Sequence, residues 1–234
     1  MPMDTSFATS SQDAVLALWR PRLIRLATAS DDNDGAHDLN HLERVWSSAR
    51  TLLAALPQAD ALVVMAACYL HDLVNLPKNH PERRQASRMS AQAAVAQLSA
   101  LDFPRGRLAA VAHAIEAHSY SAGIVAETME AKIVQDADRL DALGAVGLAR
   151  MFHVGGQLGR ALADSNDPLA LQRTADDSCY TLDHIECKLL RLPATMQTAP
   201  GRALAEERAR WVVAFRDQFV AEWGAEQGSA KTVP

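Results

Sequence analysis

His71 and Asp72 follow directly on an apolar run, Ala61 to Leu70, so an imidazole and a carboxylate are delivered to the edge of a dry interior. The run is too short to cross a bilayer, which takes roughly 20 residues. Apolar on every side, it belongs in the middle of a core. Charged groups in such a place need a partner, because an unpaired buried charge is strongly destabilising. Two other stretches offer one. His41 and Arg44 are three residues apart and share a helix face, with His37 and Asp38 just before them. Asp136, Asp138 and Asp141 cluster beside another apolar stretch. Two histidines and two aspartates from three helices thus make a donor set for a divalent metal ion. Consecutive helical residues point about 100° apart, so His71 and Asp72 reach one ion only from a helix end or from the side. Mixed imidazole and carboxylate ligands suit manganese, iron, nickel or magnesium better than a closed structural zinc site. Such a set brings a divalent ion close to neutrality and leaves an octahedral ion places for water and substrate. That arrangement lowers the pKa of water and polarises a phosphoryl oxygen.

The elements that must position these groups are helical. Alanine and leucine are plentiful, aromatic residues make up 5%, and no segment sustains period-2 alternation, which predicts an all-α fold. Helices are expected at about 12–29, 38–56, 60–73, 84–101, 105–118, 127–141, 142–152, 182–192 and 202–223. Asp38 and Asp60 serve as N-caps, and Pro57, Pro104, Pro193 and Pro200 mark boundaries. The first helix should present Val15, Leu16, Leu18, Trp19, Leu23, Ile24 and Leu26 as its apolar face. Asp31-Asp32-Asn33-Asp34-Gly35 lacks the register and closing glutamate of a calcium loop and reads as a solvated turn. Residues 1–10 are expected to be disordered, 11–224 to form one domain with a mobile lid at about 153–180, and 225–234 to be a polar tail. The net charge of −5 and pI near 5.9 argue against nucleic acid as a partner. Neither a signal peptide nor a membrane span is visible. The three cysteines read as reduced thiols, which points to the cytoplasm.

His41-Leu42-Glu43-Arg44-Val45, then His71-Asp72, then Ala137-Asp138-Arg139-Leu140 resembles the H…HD…D signature of HD-domain metal-dependent phosphohydrolases. The resemblance implies a single HD-domain helical bundle with a metal site between central helices. It implies His41, His71, Asp72 and Asp138 as ligands of one divalent ion, with Asp136 and Asp141 behind them. Mn2+ is the first choice of ion, with Mg2+, Ni2+, Fe2+ and Co2+ as alternatives. Pro77-Lys78-Asn79, Arg84-Gln85-Ala86-Ser87-Arg88, His118-Ser119-Tyr120-Ser121, and His184 with Lys188-Leu189-Leu190 extend the similarity over about 12–224. They are similar to small bacterial HD hydrolases, some of which split nucleoside triphosphates to monophosphate and pyrophosphate. The chain departs from other branches. Leu73-Val74-Asn75 stands where guanosine-tetraphosphate hydrolases carry a Glu-Asp pair. The adjacent histidines of dinuclear centres are missing too, although His113 and His118 could partly replace them.

The catalytic candidates are accordingly Asp72, Arg44, Lys78, His118 and Asp141, with Asp72 or Asp141 as possible general base. Substrate contacts are expected from Arg44, Lys78, Arg84, Arg88, His118, His184 and Lys188. Each has a plainer reading: Arg44 as a salt-bridge partner, the arginines as a solvated face, His184 and Lys188 as fold caps. The expected partner is a small-molecule phosphate ester or nucleotide, with no nucleic acid and no membrane, acted on by a monomer or homodimer. The expected reaction is hydrolysis of a nucleoside triphosphate to monophosphate and pyrophosphate. Alternatives are a monophosphate phosphatase or phosphodiesterase of the same fold, a nucleotide-binding module without turnover, and a di-iron oxygenase.

Overall fold

Helix α3 (Ala61–Leu70) is buried at every position, which makes it the centre of the unit it belongs to. Asp60 starts it, accepting from the backbone N–H groups of Leu62 (3.0 Å) and Val63 (3.4 Å). The other Asp60 oxygen takes the Arg107 guanidinium at 2.5 Å, and the Asp60 N–H donates to Glu130 at 2.9 Å. The helix stops at Leu70, sooner than expected, so His71 occupies its C-cap position. Each fully buried leucine or valine here contributes about 1.5–3 kcal/mol.

The structure is a computed structural model that describes residues 5–29, 39–76, 80–119 and 122–224, with side chains from 11 onward. The expected cap Asp38, the turn Asp31 to Gly35, Lys78 and the tail 225–234 lie outside the described residues, as do positions 1–4 of the expected disordered terminus. By contacts the chain divides into two compact units, Met1–Asp141 with Met196–Gly201, and Ala142–Thr195 with Arg202–Pro234. Among the described residues there are helices and turns and one isolated bridge, with no strand. No described helix is long and apolar enough to cross a membrane.

In the first unit, α1 (Thr5–Ala27), α2 (Leu39–Ala55), α5 (Leu108–His118) and α6 (Met129–Leu140) all pack against α3, and α4 (Ala86–Ala100) packs chiefly on α5. The spacing of buried residues in α2 (His41, Leu42, Val45, Trp46, Ala49, Leu52) is that of a helix with one apolar side. Thr128 caps α6 by accepting from the Ala131 N–H at 3.2 Å. The first helix begins earlier than expected and buries a narrower stripe. Trp19, edge-on to Phe103 at 4.8 Å, and Leu23 are buried, whereas Val15 and Leu18 are 38% and 53% exposed. A helix that rests mainly on one neighbour needs a stripe only one side chain wide.

Asp136 binds α6 to the segment before α9 (Ala199–Trp223). Its buried carboxylate accepts from Gln197 N (2.8 Å), Thr198 N (2.9 Å) and Thr198 Oγ1 (2.7 Å). Burial raises its pKa and these donors oppose the rise.

In the second unit, Gly155 of α7 (Gly144–Gln157) lies so close to Thr181 that a Cβ there would sit 2.2 Å from its Oγ1. Residues between α7 and α8 (His184–Cys187) are joined by Thr181 N–H to Ala161 O (2.9 Å) and Leu182 N–H to Leu162 O (2.9 Å). Asp183, buried, accepts both Arg173 Nη1 (2.5 Å) and Nη2 (2.8 Å) and the Asp176 N–H (2.6 Å). Turns held by side-chain caps carry no hydrophobic period, so the sequence pattern fades across this stretch. The expected 182–192 helix is a single α-turn followed by a 3₁₀ stretch, Leu189–Thr195, which accommodates Pro193.

Candidate metal centre

Three imidazoles meet at the ends of α3 and α5 and the first turn of α2. His41 and His71 have ring centroids 5.4 Å apart, His71 and His118 4.7 Å. In each ring Nδ1 is engaged: His41 donates to Asp141 Oδ2 (2.8 Å), His71 to the Cys68 carbonyl (2.9 Å), His118 to the Ile115 carbonyl (2.6 Å). The neutral form of each ring therefore presents Nε2 as a lone pair. These nitrogens converge on two carboxylates. His41 Nε2 lies 3.4 Å from His71 Nε2 and 3.6 Å from Asp138 Oδ1. His71 Nε2 lies 3.9 Å from Asp138 Oδ1 and 3.4 Å from Asp72 Oδ2, and His118 Nε2 lies 3.6 Å from Asp72 Oδ1.

Two overlapping groups result, His41–His71–Asp138 and His71–Asp72–His118, each with its donor atoms within 4.8 Å of one another. Facing lone pairs and carboxylates repel unless a proton or a cation lies among them, and the mixed nitrogen and oxygen donors fit a divalent ion. The imidazoles are buried, while the side chains of Asp72 and Asp138 are 22% and 29% exposed, so solvent reaches the centre on the carboxylate side.

Charge sets the protonation of this centre. Burial alone would lower the pKa of His71, but the charges of Asp72 and Asp138 and hydrogen bonds to Asp72 and Cys68 carry it up to about 9. Asp72 is displaced the other way: burial would raise it, and the facing His71 and His118 hold it well below the ordinary carboxylate range. Burial pushes the Cys68 thiol up, with help from the Asp138 charge, so this cysteine is inert. With its folded pKa raised above the ordinary 6.5, protonated His71 contributes stability that is complete below about pH 6.5 and lost as pH rises through about 9. A metal needs the neutral ring, so Mn2+ binding should release a proton below pH 9, with affinity rising up to about tenfold per pH unit. Calorimetric titration in two buffers of different ionisation enthalpy counts that proton. An affinity flat between pH 6.5 and 8.5 would contradict the assignment.

The remaining candidates divide. Asp141 is buried and takes Arg44 Nε at 2.7 Å and Nη2 at 3.1 Å as well as His41, so Arg44 and Asp141 engage one another. Both oxygens of Asp136 serve the 197–198 backbone. Arg84 and Arg88 are exposed, and Arg88 donates to Gln85 at 3.3 Å. Their neighbour Arg83 donates to Asn75 Oδ1 (2.8 Å) and to the Leu76 carbonyl, tying down the chain that leaves α3. His113 accepts from the Glu127 N–H at 3.0 Å. His184 and Lys188 belong to the second unit, where His184 Nδ1 donates to Asp177 Oδ2 at 2.6 Å. Lys78 lies outside the described residues. Sequence reasoning missed the carbonyls of Cys68 and Ile115 that orient His71 and His118. Their signal is positional: each lies three residues before a histidine at the end of a helix.

A model of the HD domain matches residues 38–143, the span holding every group of this centre. The chain belongs to the HD-domain family and is an HD-superfamily hydrolase. It is 33% identical over 192 residues to YpgQ of Bacillus subtilis, an uncharacterized protein, covering 80% of this chain and 85% of that one. The crystal structure of YpgQ in complex with ADP superposes with a TM-score of 0.66 at 30% identity, covering 87% of this chain and 97% of that one. An HD-superfamily hydrolase from Bacillus thuringiensis gives 0.68 at 29% identity, covering 92% and 100%.

Proposed function

We propose that the protein is a metal-dependent phosphohydrolase that cleaves a nucleoside triphosphate to the monophosphate and pyrophosphate. The observation that carries this reading is the convergence of three oriented Nε2 lone pairs on two solvent-reached carboxylates. The ADP held by YpgQ supports a nucleotide over other phosphate esters. His41, His71, Asp72 and Asp138 would hold one divalent ion, Mn2+ first among the candidates. When bound, it supplies Lewis acidity toward the phosphoryl oxygens and a lowered pKa for water.

The chain's own groups account for the rest. Water adds to the α-phosphorus, the anhydride bond breaks, and pyrophosphate departs with the bond's electron pair. On this reading Asp72 would orient that water by accepting a hydrogen bond, and His118, whose Nε2 lies 3.6 Å from Asp72 Oδ1, would take up the proton. Lys78 neutralises the polyphosphate, with Arg84 and Arg88 as further cationic contacts.

The test is a panel of nucleotides with purified protein and Mn2+, read for pyrophosphate and orthophosphate separately. Pyrophosphate with monophosphate supports the proposal. Orthophosphate alone makes the protein a phosphatase, and tight binding with no product makes it a nucleotide-binding module. Lys78→Ala should raise KM or lower kcat by roughly tenfold, the loss of one charge-assisted contact of about 1.5 kcal/mol. Its metal content by mass spectrometry should stay unchanged, and a fall in bound metal would remove Lys78 from the substrate side.

A further inference from the structure

We infer that Asp141 and Arg44 form a positioning clamp for the imidazole of His41, so that Arg44 acts on the metal ligand and not on the substrate. The inference rests on the metal reading above. His41 and Arg44 are one turn apart on α2, Asp138 and Asp141 one turn apart at the end of α6, and the two pairs face each other. The result is a division of one ring between two aspartates: Nε2 faces Asp138 at 3.6 Å and Nδ1 donates to Asp141 at 2.8 Å. Asp141 is itself held by the Arg44 fork through Nε (2.7 Å) and Nη2 (3.1 Å). Both the carboxylate and the imidazole are buried, so water does not compete for the bond between them, while the Arg44 side chain is 34% exposed.

Each link has a consequence for the ring. A carboxylate has no proton to give, so its bond to Nδ1 selects the tautomer with the lone pair on Nε2, the one that can bind a metal. The other two histidines are oriented by backbone carbonyls of their own helices, three residues back. His41 stands in the first turn of α2 and is oriented from another helix, so its aim depends on how α2 and α6 are joined. The bidentate fork fixes the plane of the Asp141 carboxylate as a single point charge would not.

The test is calorimetric titration of the protein and its variants with MnCl2 alone, without nucleotide. Asp141→Asn and Arg44→Ala should each weaken Mn2+ binding by about 10–100-fold, the usual effect of losing a ligand's orienting partner. Arg44→Lys, which keeps the charge and loses the fork, should fall between these and the wild type and guards against loss of fold in the alanine variant. In 15N-histidine-labelled protein without metal, His41 should show its proton on Nδ1, and Asp141→Asn should lose that signature. In turnover assays, excess Mn2+ should restore the KM for nucleotide in Arg44→Ala. A KM that stays raised at saturating Mn2+, with Mn2+ affinity at the wild-type value, would make Arg44 a substrate contact and overturn the clamp. Wild-type protein that takes up no Mn2+ would overturn the metal reading and the clamp together. Normal uptake by both Asp141→Asn and Arg44→Ala would overturn the clamp alone.

Discussion

Asp138→Ala and Asp72→Ala should each abolish Mn2+-dependent hydrolysis while leaving helical content by circular dichroism close to that of the wild type. The two carboxylates are the only anions among the four proposed ligands, so either change leaves a divalent ion with a net positive charge against buried imidazoles. The loss of a ligand should exceed the about 10–100-fold that loss of an orienting partner costs, which puts turnover at background under ordinary Mn2+ concentrations. The fold should survive because both side chains are partly exposed, at 22% and 29%, and their truncation opens no interior cavity. The two variants should still differ without metal. Asp72 supplies the main charge that raises the His71 pKa, so Asp72→Ala should bring His71 back toward the ordinary range and Asp138→Ala should do so less. Proton titration of His71 by NMR separates them. Full activity in either variant would show that the ligand set is wrong.

Asp136→Ala should lower the melting temperature of the metal-free protein by roughly 10 °C, from a stability loss of about 3–5 kcal/mol at about 2–4 °C per kcal/mol for a chain of this size. The substitution removes the acceptor of the buried Thr198 N–H and hydroxyl and of the part-buried Gln197 N–H bond. Gly201→Val should act on the same joint from the other side, because a Cβ at Gly201 would sit 2.3 Å from Asp136 Oδ2 and 2.8 Å from Thr198 Oγ1. The two changes share partners, so the double variant should lose less than the sum of the singles. Scanning calorimetry measures all three. A wild-type melting temperature for Asp136→Ala would show that the 196–201 segment is held by something other than this carboxylate.

The three aspartates near the end of α6 show where sequence reading stops. Asp136, Asp138 and Asp141 are equivalent by type and proximity, and only family resemblance singles out Asp138. The structure gives them three tasks: Asp136 joins α6 to residues 197–198, Asp138 faces the imidazoles, and Asp141 holds His41 and Arg44. Helical positions two and three apart point into different sectors, and which sector meets α2 is a property of packing. Arg44 is a parallel case: its one-turn spacing from His41 does not reveal the bond to Asp141 that the structure shows. The apolar face expected for α1 was too wide because period alone does not tell how many neighbours a helix has. The stretch between α7 and α8 carries no helical period because carboxylate caps and a bidentate arginine hold it.

From the sequence alone came the all-helical class, the buried central helix with its Asp60 cap, and the histidines and aspartates that gather at its end. These follow from local rules: hydrophobic period, capping chemistry, and the cost of leaving a charge unpaired in an apolar setting. The tertiary structure alone decided which nitrogen of each imidazole is presented, which aspartate faces it, and which orients it from behind. Those choices rest on contacts between residues as far as 100 positions apart, such as His41 with Asp141, and no local rule encodes the direction in which two packed helices bring their side chains together.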